Sequence, residues 1–481
     1  VSAMSLLTSR RLVLVVLVLA QFIVMLDSSI VNVALPSMTT DLRLSAEGTA
    51  WVANAYFLTF GGFLLISGRA ADLLGRRRMF AIGAALVTVA SLLAGTAASE
   101  AMLLAARALQ GLGAAILSPA ALSILLITFA GPRKAVAVSV WGAASAVGGA
   151  LGVSVGGLTT AAFGWQGVFL LTVPFSAGAV ACSHLVLPRA GAAGTRRSFD
   201  AAGAAAVTCT ALALVFAVLS IPDHGWQSPR FLGGLAVAMA AFVMFLIIER
   251  RAQDPIVPLA LFGSPQLSVG ALVGVLGGAT RVCTFFLVAL FLQQVQAYAP
   301  EQAGLAMLPT SAAGFLVSTL ALPRVLGKLG AARTVTVGLV LLGAGLIWLS
   351  ECPASGSYAV SILPGLMLAA TGVAFSFMPS TMVITAAVPA ERSGVASGMA
   401  SASFQLGGAL GIAVFTMIAA AFSGADDGTA VAVTSATGFH AAFLAAGLTA
   451  LLTAGVAAVG LLRPSEASTP PLSSPAPVGA R

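Results

Sequence analysis

Three charged side chains stand inside long apolar runs of this 481-residue chain: Asp27, Arg107 and Arg281. Asp27 is the only acid placed well inside such a run, and a carboxylate there is costly unless it faces water or a partner. A group so placed can take a proton from one side and release it to the other, or bind a cation. The competing role is a structural hydrogen bonder that ties its helix to a neighbour. Arg281 lies in the middle of LVGVLGGATRVCTFFLVALF, either as a static charge clamp or as an anchor for an acidic substrate. Arg107 falls near the outer part of its run, where an arginine can snorkel toward headgroups. Gln110, three residues on, shares its helix face. Asn32, Trp51, Tyr56, Gln293, Gln294 and Gln405 are polar or aromatic candidates for a cavity wall, and all are residue types that also serve helix packing or interface anchoring.

The runs that must position these groups dominate the composition. Hydrophobic residues make up 59% of the chain and charged residues only 8%, against about 25% charged in a soluble domain. Too few charges remain to solvate a globule of this size, which excludes a soluble enzyme, a disordered scaffold and a nucleic-acid binder. The four cysteines (Cys182, Cys209, Cys283, Cys352) and three histidines (His184, His224, His440) show no metal-ligand spacing, so no metal or cofactor is expected. There is no HExxH, no second acid at depth and no phosphate-cradling GxxxxGK[ST], which argues against an intramembrane hydrolase and a primary pump.

A membrane helix needs about 20 mostly apolar residues. Windows of that length fall near 12–35, 49–68, 79–98, 102–126, 136–161, 167–187, 201–221, 231–248, 267–292, 303–323, 334–351, 358–379, 396–422 and 439–462, fourteen in all. The first is too long for a signal peptide and is expected to stay in the mature protein. With both termini cytoplasmic, the outer loops hold only Arg43 and Arg230, and the spans hold Arg107 and Arg281. The other 19 of the 23 Lys and Arg residues lie on the cytoplasmic side. This is the positive-inside asymmetry, and it makes the net charge of +8 a matter of topology and anionic inner-leaflet lipid, with no nucleic-acid footprint.

The chain also repeats itself. GRAADLLGRRRMFAIG (68–83) matches PRVLGKLGAARTVTVG (323–338) at an offset of 255, GGALG recurs at 148–152 and 407–411, and Pro119 falls on Pro379. Residues 1–189 and 263–463 read as two six-helix bundles, 190–262 as a linker with two inserted helices, and 464–481 as a disordered tail. Two parallel six-helix halves about a central site is a transporter plan. Aligning LSAEG (44–48) with YAPEQ (298–302) at an offset of 254 sets Arg281 opposite Asp27. The two are then expected at equivalent depths on one cavity, where they could pair when it is empty. A slip of one residue would turn either side chain by about 100°.

These residues carry a pattern that resembles the fourteen-span drug:proton antiporters of the major facilitator superfamily, over 10–463. The first-span signature is Leu26-Asp27-Ser28-Ser29-Ile30-Val31-Asn32-Val33-Ala34-Leu35-Pro36, and the span-four motif is Arg107-Ala108-Leu109-Gln110-Gly111. The loop motif is Gly68, Asp72, Gly75, Arg76 and Arg77, with Leu73 where the family has Arg. In the span-five motif Gly152-Val153 replaces Gly-Pro, while the Gly148, Gly152 and Gly156 ridge remains for close packing. In span thirteen Phe404-Gln405 stands where Arg-Gln is usual. The resemblance implies an all-α polytopic membrane protein with the major facilitator fold, a monomeric carrier in a bacterial inner membrane. It implies export of amphipathic organic compounds in exchange for protons by alternating access. Asp27 and Arg107 would then handle the proton, and the Asp72, Arg76, Arg77 loop would latch the cytoplasmic ends of the halves. Proton-coupled uptake, or an uncoupled channel or receptor, stays open on the sequence.

Overall fold

A helix surrounded by lipid needs no polar face, so its ends are set by caps and turns. The structure, a computed structural model, describes residues 3–129, 132–187, 200–221, 225–252, 255, 262–354, 357–388, 393–423 and 436–462. The tail 464–481 and the linker segment 190–198 lie outside the described residues. The elements are α1 (Ala3–Leu42), α2 (Ala46–Leu74), α3 (Arg76–Gly95), α4 (Glu100–Thr128), α5 (Pro132–Leu170), α6 (Thr172–Val186), α7 (Ala201–Leu219) and α8 (Pro229–Arg251). They continue as α9 (Pro265–Gln294), α10 (Pro300–Ala306), α11 (Leu308–Leu316), α12 (Leu322–Ser350), α13 (Leu363–Ala386), α14 (Ser393–Ala421) and α15 (Ala436–Leu461), with π-helical turns at Val317–Ala321 and Tyr358–Ile362.

Short polar side chains start several of these helices by accepting an otherwise orphaned N–H. Ser45 Oγ accepts from Gly48 N at 2.8 Å, Ser228 Oγ from Phe231 N at 3.2 Å, and Asp200 Oδ1 from Gly203 N at 2.8 Å. The segment 68–83 is not a loop, as the sequence suggests: α2 runs to Leu74, α3 begins at Arg76, and Gly75 alone joins them at φ +98°. Gly330, its partner in the repeat, breaks α12 at φ +74°, and Gly164 breaks α5 at the same angle. Only glycine adopts this left-handed backbone without strain, so it is the residue that can reverse the chain in one step.

The packing repeats as the sequence does. In the first part α1 lies on α5, α3 on α4 and α3 on α6; in the second α9 lies on α14, α12 on α13 and α12 on α15. Glycines set the closest approaches. A Cβ on Gly148 would lie 2.5 Å from Phe22 O, on Gly152 2.0 Å from Ser29 Oγ and 2.8 Å from Leu26 O, and on Gly156 2.4 Å from Ile30 O. In the second seam Gly407 meets Val275 O at 2.0 Å and Gly411 meets Ala279 O at 2.4 Å. Matching the seams sets Phe22 on Val275 and Leu26 on Ala279, an offset of 253. Asp27 therefore corresponds to Thr280, and Arg281 to Ser28. The offset of 254 taken from the loops is one residue out for the helices, because the loops after α1 and α9 differ in length.

Helices α7 and α8 pack on each other, and α7 also touches α2 and α14. Thr208 Oγ1 on α7 donates to Gly62 O on α2 at 2.8 Å. On α8, Leu232, Met239, Phe242 and Met244 stay exposed, as suits a helix whose solvent is lipid. Ten helical segments of the described residues are long and apolar enough to cross a membrane, and two of them, Leu151–Val186 and Pro300–Ser350, contain the breaks at Gly164 and Gly330. The protein is a multi-pass, all-helical membrane protein.

Candidate functional site

The structure separates the three intramembrane charges into two places. The first lies where α1, α2 and α4 meet. Asp27 is 2% exposed and Arg107 fully buried. Arg107 Nη1 donates to Asp27 Oδ2 at 3.2 Å and to Gln110 Oε1 at 2.8 Å, and its Nε donates to Val52 O at 3.0 Å. Gln110 Nε2 donates to Asp27 Oδ1 at 3.2 Å and to Ser91 Oγ at 2.9 Å. The Tyr56 ring lies 4.5 Å below the guanidinium carbon, and its hydroxyl donates to Val24 O at 2.9 Å. Two features of spacing explain this cluster: Arg107 and Gln110 share a face, and Gly111 lets α4 settle onto α2. A Cβ on Gly111 would lie 2.3 Å from Tyr56 O. Arg107 does not snorkel to a headgroup, because its countercharge sits at its own depth.

The second place is a cavity of about 930 Å³ lined from α1, α5, α9, α12, α13 and α14. From α1 come Met25, Ser28, Ser29 and Asn32; from α9 comes Arg281; from α14 come Phe404 and Gln405. Asp27 is not on this wall, since it points from α1 toward α4. Arg281 is, and the one-residue register correction is the reason, as it puts the arginine on the face that Ser28 occupies in α1. The guanidinium is 2% exposed, donates from Nη1 to Ser380 Oγ at 3.3 Å, and lies 5.8 Å from the Phe404 ring. The sequence expectation that Asp27 and Arg281 share the cavity and pair there is thus not what this state shows: each has other neighbours.

The remaining candidates divide plainly. Asn32 and Gln405 line the cavity, with Gln405 Oε1 buried and unpartnered. Tyr56 and Gln110 belong to the Asp27 cluster. Trp51 is half-buried against the α1–α2 core, Gln293 Nε2 donates to Ala289 O of its own helix at 3.2 Å, and Gln294 Oε1 is buried without a partner. None of these three lines the cavity. Asp72 lies in the last turn of α2, and its side chain is outside the described residues. Arg77 Nη2 donates to His184 O at 2.6 Å, which ties α3 to α6. Arg76 starts α3 beside it. Gly68 makes no close approach here, since a Cβ on it would meet Pro119 Cβ at 3.9 Å, an ordinary contact.

Beyond one end of the cavity α5 and α10 meet closely, and the lining extends toward the other end. At the end where α1 meets Arg43, a Cβ on Gly157 of α5 would lie 2.3 Å from Pro300 O and 2.9 Å from Gly304 Cα of α10. Toward the Gly75 and Gly330 end, Val140, Pro323 and Leu326 still line it, and Leu326 is one helical turn from Gly330. Sequence reasoning missed Ser380, Phe404 as a cation-facing ring, Ser91 and the Val52 carbonyl. No signal marks them, because serines in apolar helices are common and most bond their own backbone.

A polar cluster sealed among α1, α2 and α4 thus lies beside a mostly apolar cavity to which helices of both copies of the repeat contribute, and similarity to known proteins gives the family. The family model of the Major Facilitator Superfamily matches residues 17–412. The chain belongs to the major facilitator superfamily. Among curated relatives, the cephamycin export protein CmcT of Amycolatopsis lactamdurans is 35% identical over 403 residues, 83% of this chain and 83% of that protein. The puromycin resistance protein pur8 of Streptomyces alboniger is 34% identical over 460 residues, 92% and 90% of the two chains. Among solved structures, a peptide transporter POT in complex with sulfate superposes with a TM-score of 0.68 at 15% identity, covering 93% of this chain and 94% of that one.

Proposed function

We propose that this protein is a proton-driven exporter of amphipathic organic compounds that works by alternating access. The observation that carries this reading is the two-sided α1: Asp27 on one face, locked to Arg107 and Gln110, and the wall of a 930 Å³ cavity on the other. The export and resistance functions in the relatives' names support the direction of transport. Splitting the apolar segments at Gly164 and Gly330, and adding α2 and the shorter α7, gives fourteen passes. On this reading residues 1–189 and 263–463 are the two moving bundles, 190–262 carry the inserted pair, and both termini are cytoplasmic in a bacterial inner membrane. The Gly75 end is then cytoplasmic, and the state described is closed outward at Gly157 and Gly304. The carrier works as a monomer with protons as its coupling ion and no cofactor.

Reconstitution tests the reading. Proteoliposomes holding wild type or Asp27→Asn are given a pH gradient, and uptake of dyes and antibiotics is followed together with lumenal pH. Wild type is expected to accumulate substrate in response to the gradient, and Asp27→Asn to lose that response. Flux that ignores the gradient in both proteins would remove proton coupling from the reading.

A further inference from the structure

Arg107 and Arg281 are both buried, yet among the described residues only Arg107 has an acid beside it. Asp27 and Gln110 take up Arg107. Among the described residues Arg281 has one neutral acceptor, Ser380 Oγ at 3.3 Å, and its Nε has no partner. Its guanidinium lies back along α9 over Gly277, where a Cβ would come within 2.9 Å of Nη2. Among the described residues lining the cavity there is no Asp or Glu, and Arg281 is the one charged group. A cation held at depth without a countercharge is costly, and such residues face substrate or ion pathways.

The surroundings say what would complete it. A guanidinium presents a planar fork of N–H donors that fits carboxylate, sulfonate and phenolate oxygens and that stacks on aromatic faces. Phe404 already supports one side of the fork at 5.8 Å. Asn32 and Gln405 supply neutral amides on the same wall, and Phe285, Phe377 and Met378 make much of the rest apolar. A mostly apolar pocket with one oriented charge binds a molecule with an apolar body and one polar end. We propose that the cavity selects amphipathic anions, and that Arg281 holds the anionic group. This rests on the exporter reading for its meaning in transport, although the binding preference can be read without transport.

The test uses purified full-length protein in phosphatidylcholine nanodiscs, with dansyl-phenylalanine as an anionic probe and its methyl ester as the neutral match. Equilibrium fluorescence titration is expected to show wild type binding the acid about tenfold more tightly than the ester, the step expected for one charge-assisted contact. Arg281→Gln should bring the acid-to-ester ratio close to one, and Arg281→Lys should restore part of it. Equal weakening of both probes in Arg281→Gln, no weakening of the acid, or no preference in wild type would overturn the proposal. Melting in the same nanodiscs checks folding, and the wild-type ratio alone decides the matter if Arg281→Gln does not fold. Displacement of the acid by phosphatidylglycerol added to the nanodiscs would assign the site to a lipid headgroup and overturn the small-molecule assignment. Gradient-driven flux of the ester separates the two readings: outward movement without acid preference keeps the exporter and removes this inference, while acid preference without flux does the reverse.

Discussion

Buried charge has opposite consequences depending on whether its partner is removed alone or with it. Arg107→Ala leaves the Asp27 carboxylate with Gln110 as its remaining side-chain partner, and breaking a buried pair in this way costs about 3–5 kcal/mol. Its melting temperature should fall well below wild type in detergent. Removing both charges in Asp27→Asn/Arg107→Gln should recover much of that loss, a non-additivity that a double-mutant cycle measures. If the double variant is as unstable as the sum of the singles, the ion pair is not what holds α1 to α4. At this scale the sequence was most informative about charge: Asp27, Arg107 and Arg281 are visible because apolar helices have so few charges. Gln110 was visible beside Arg107 through its spacing, but the hydroxyl and carbonyl partners were not. Ser380 and Val52 act through one hydroxyl and one carbonyl, and nothing in residue type distinguishes them from dozens of others.

Between helices, glycine position matters more than side-chain polarity. Lipid is as apolar as leucine, so helices associate through close backbone fit at small residues. Gly152 has a serine hydroxyl 2.0 Å from where its Cβ would be. Gly152→Leu should therefore overpack the α1–α5 seam by about 1–3 kcal/mol, read as a lower melting temperature. Gly157 closes one end of the cavity against α10, so Gly157→Leu should open that end instead. In a background lacking the more accessible Cys182 and Cys209, maleimide labelling of Ser154→Cys should rise about tenfold as the population shifts. Unchanged labelling would mean that the end stays shut by other contacts. The ridge Gly148, Gly152, Gly156 is readable from its spacing. The register between the halves is not: loop matches gave 254 and helix seams give 253, and only the seam is constrained by packing.

Across the whole molecule the all-helical, multi-pass character and the internal repeat were legible, since each is a sum over many residues. The docking of α7 on α2 and α14 was not, because an inserted apolar helix carries no pattern that names its neighbour. On the proposed exporter reading, the link between proton and substrate is likewise a property of the whole. With Asp27 behind α1 and the cavity in front of it, occupying the cavity should change the proton occupancy of the cluster without any direct contact. Calorimetric titration of dansyl-phenylalanine in buffers of different ionisation enthalpy should show proton exchange in wild type and none in Asp27→Asn. Equal enthalpies in every buffer for wild type would show that binding and protonation are independent.

A single helix that is the back of one compartment and the front of another imposes a constraint of symmetry in energy. Whatever factor protonation of Asp27 applies to the affinity of the cavity, a filled cavity must apply to the affinity of Asp27 for its proton. The two ligands never need to compete for one carboxylate, so the cargo need not be a cation for a proton to drive it. On the proposed reading, what α1 transmits, by tilt or by rotation of its polar face, sets how much of the proton gradient reaches the cargo.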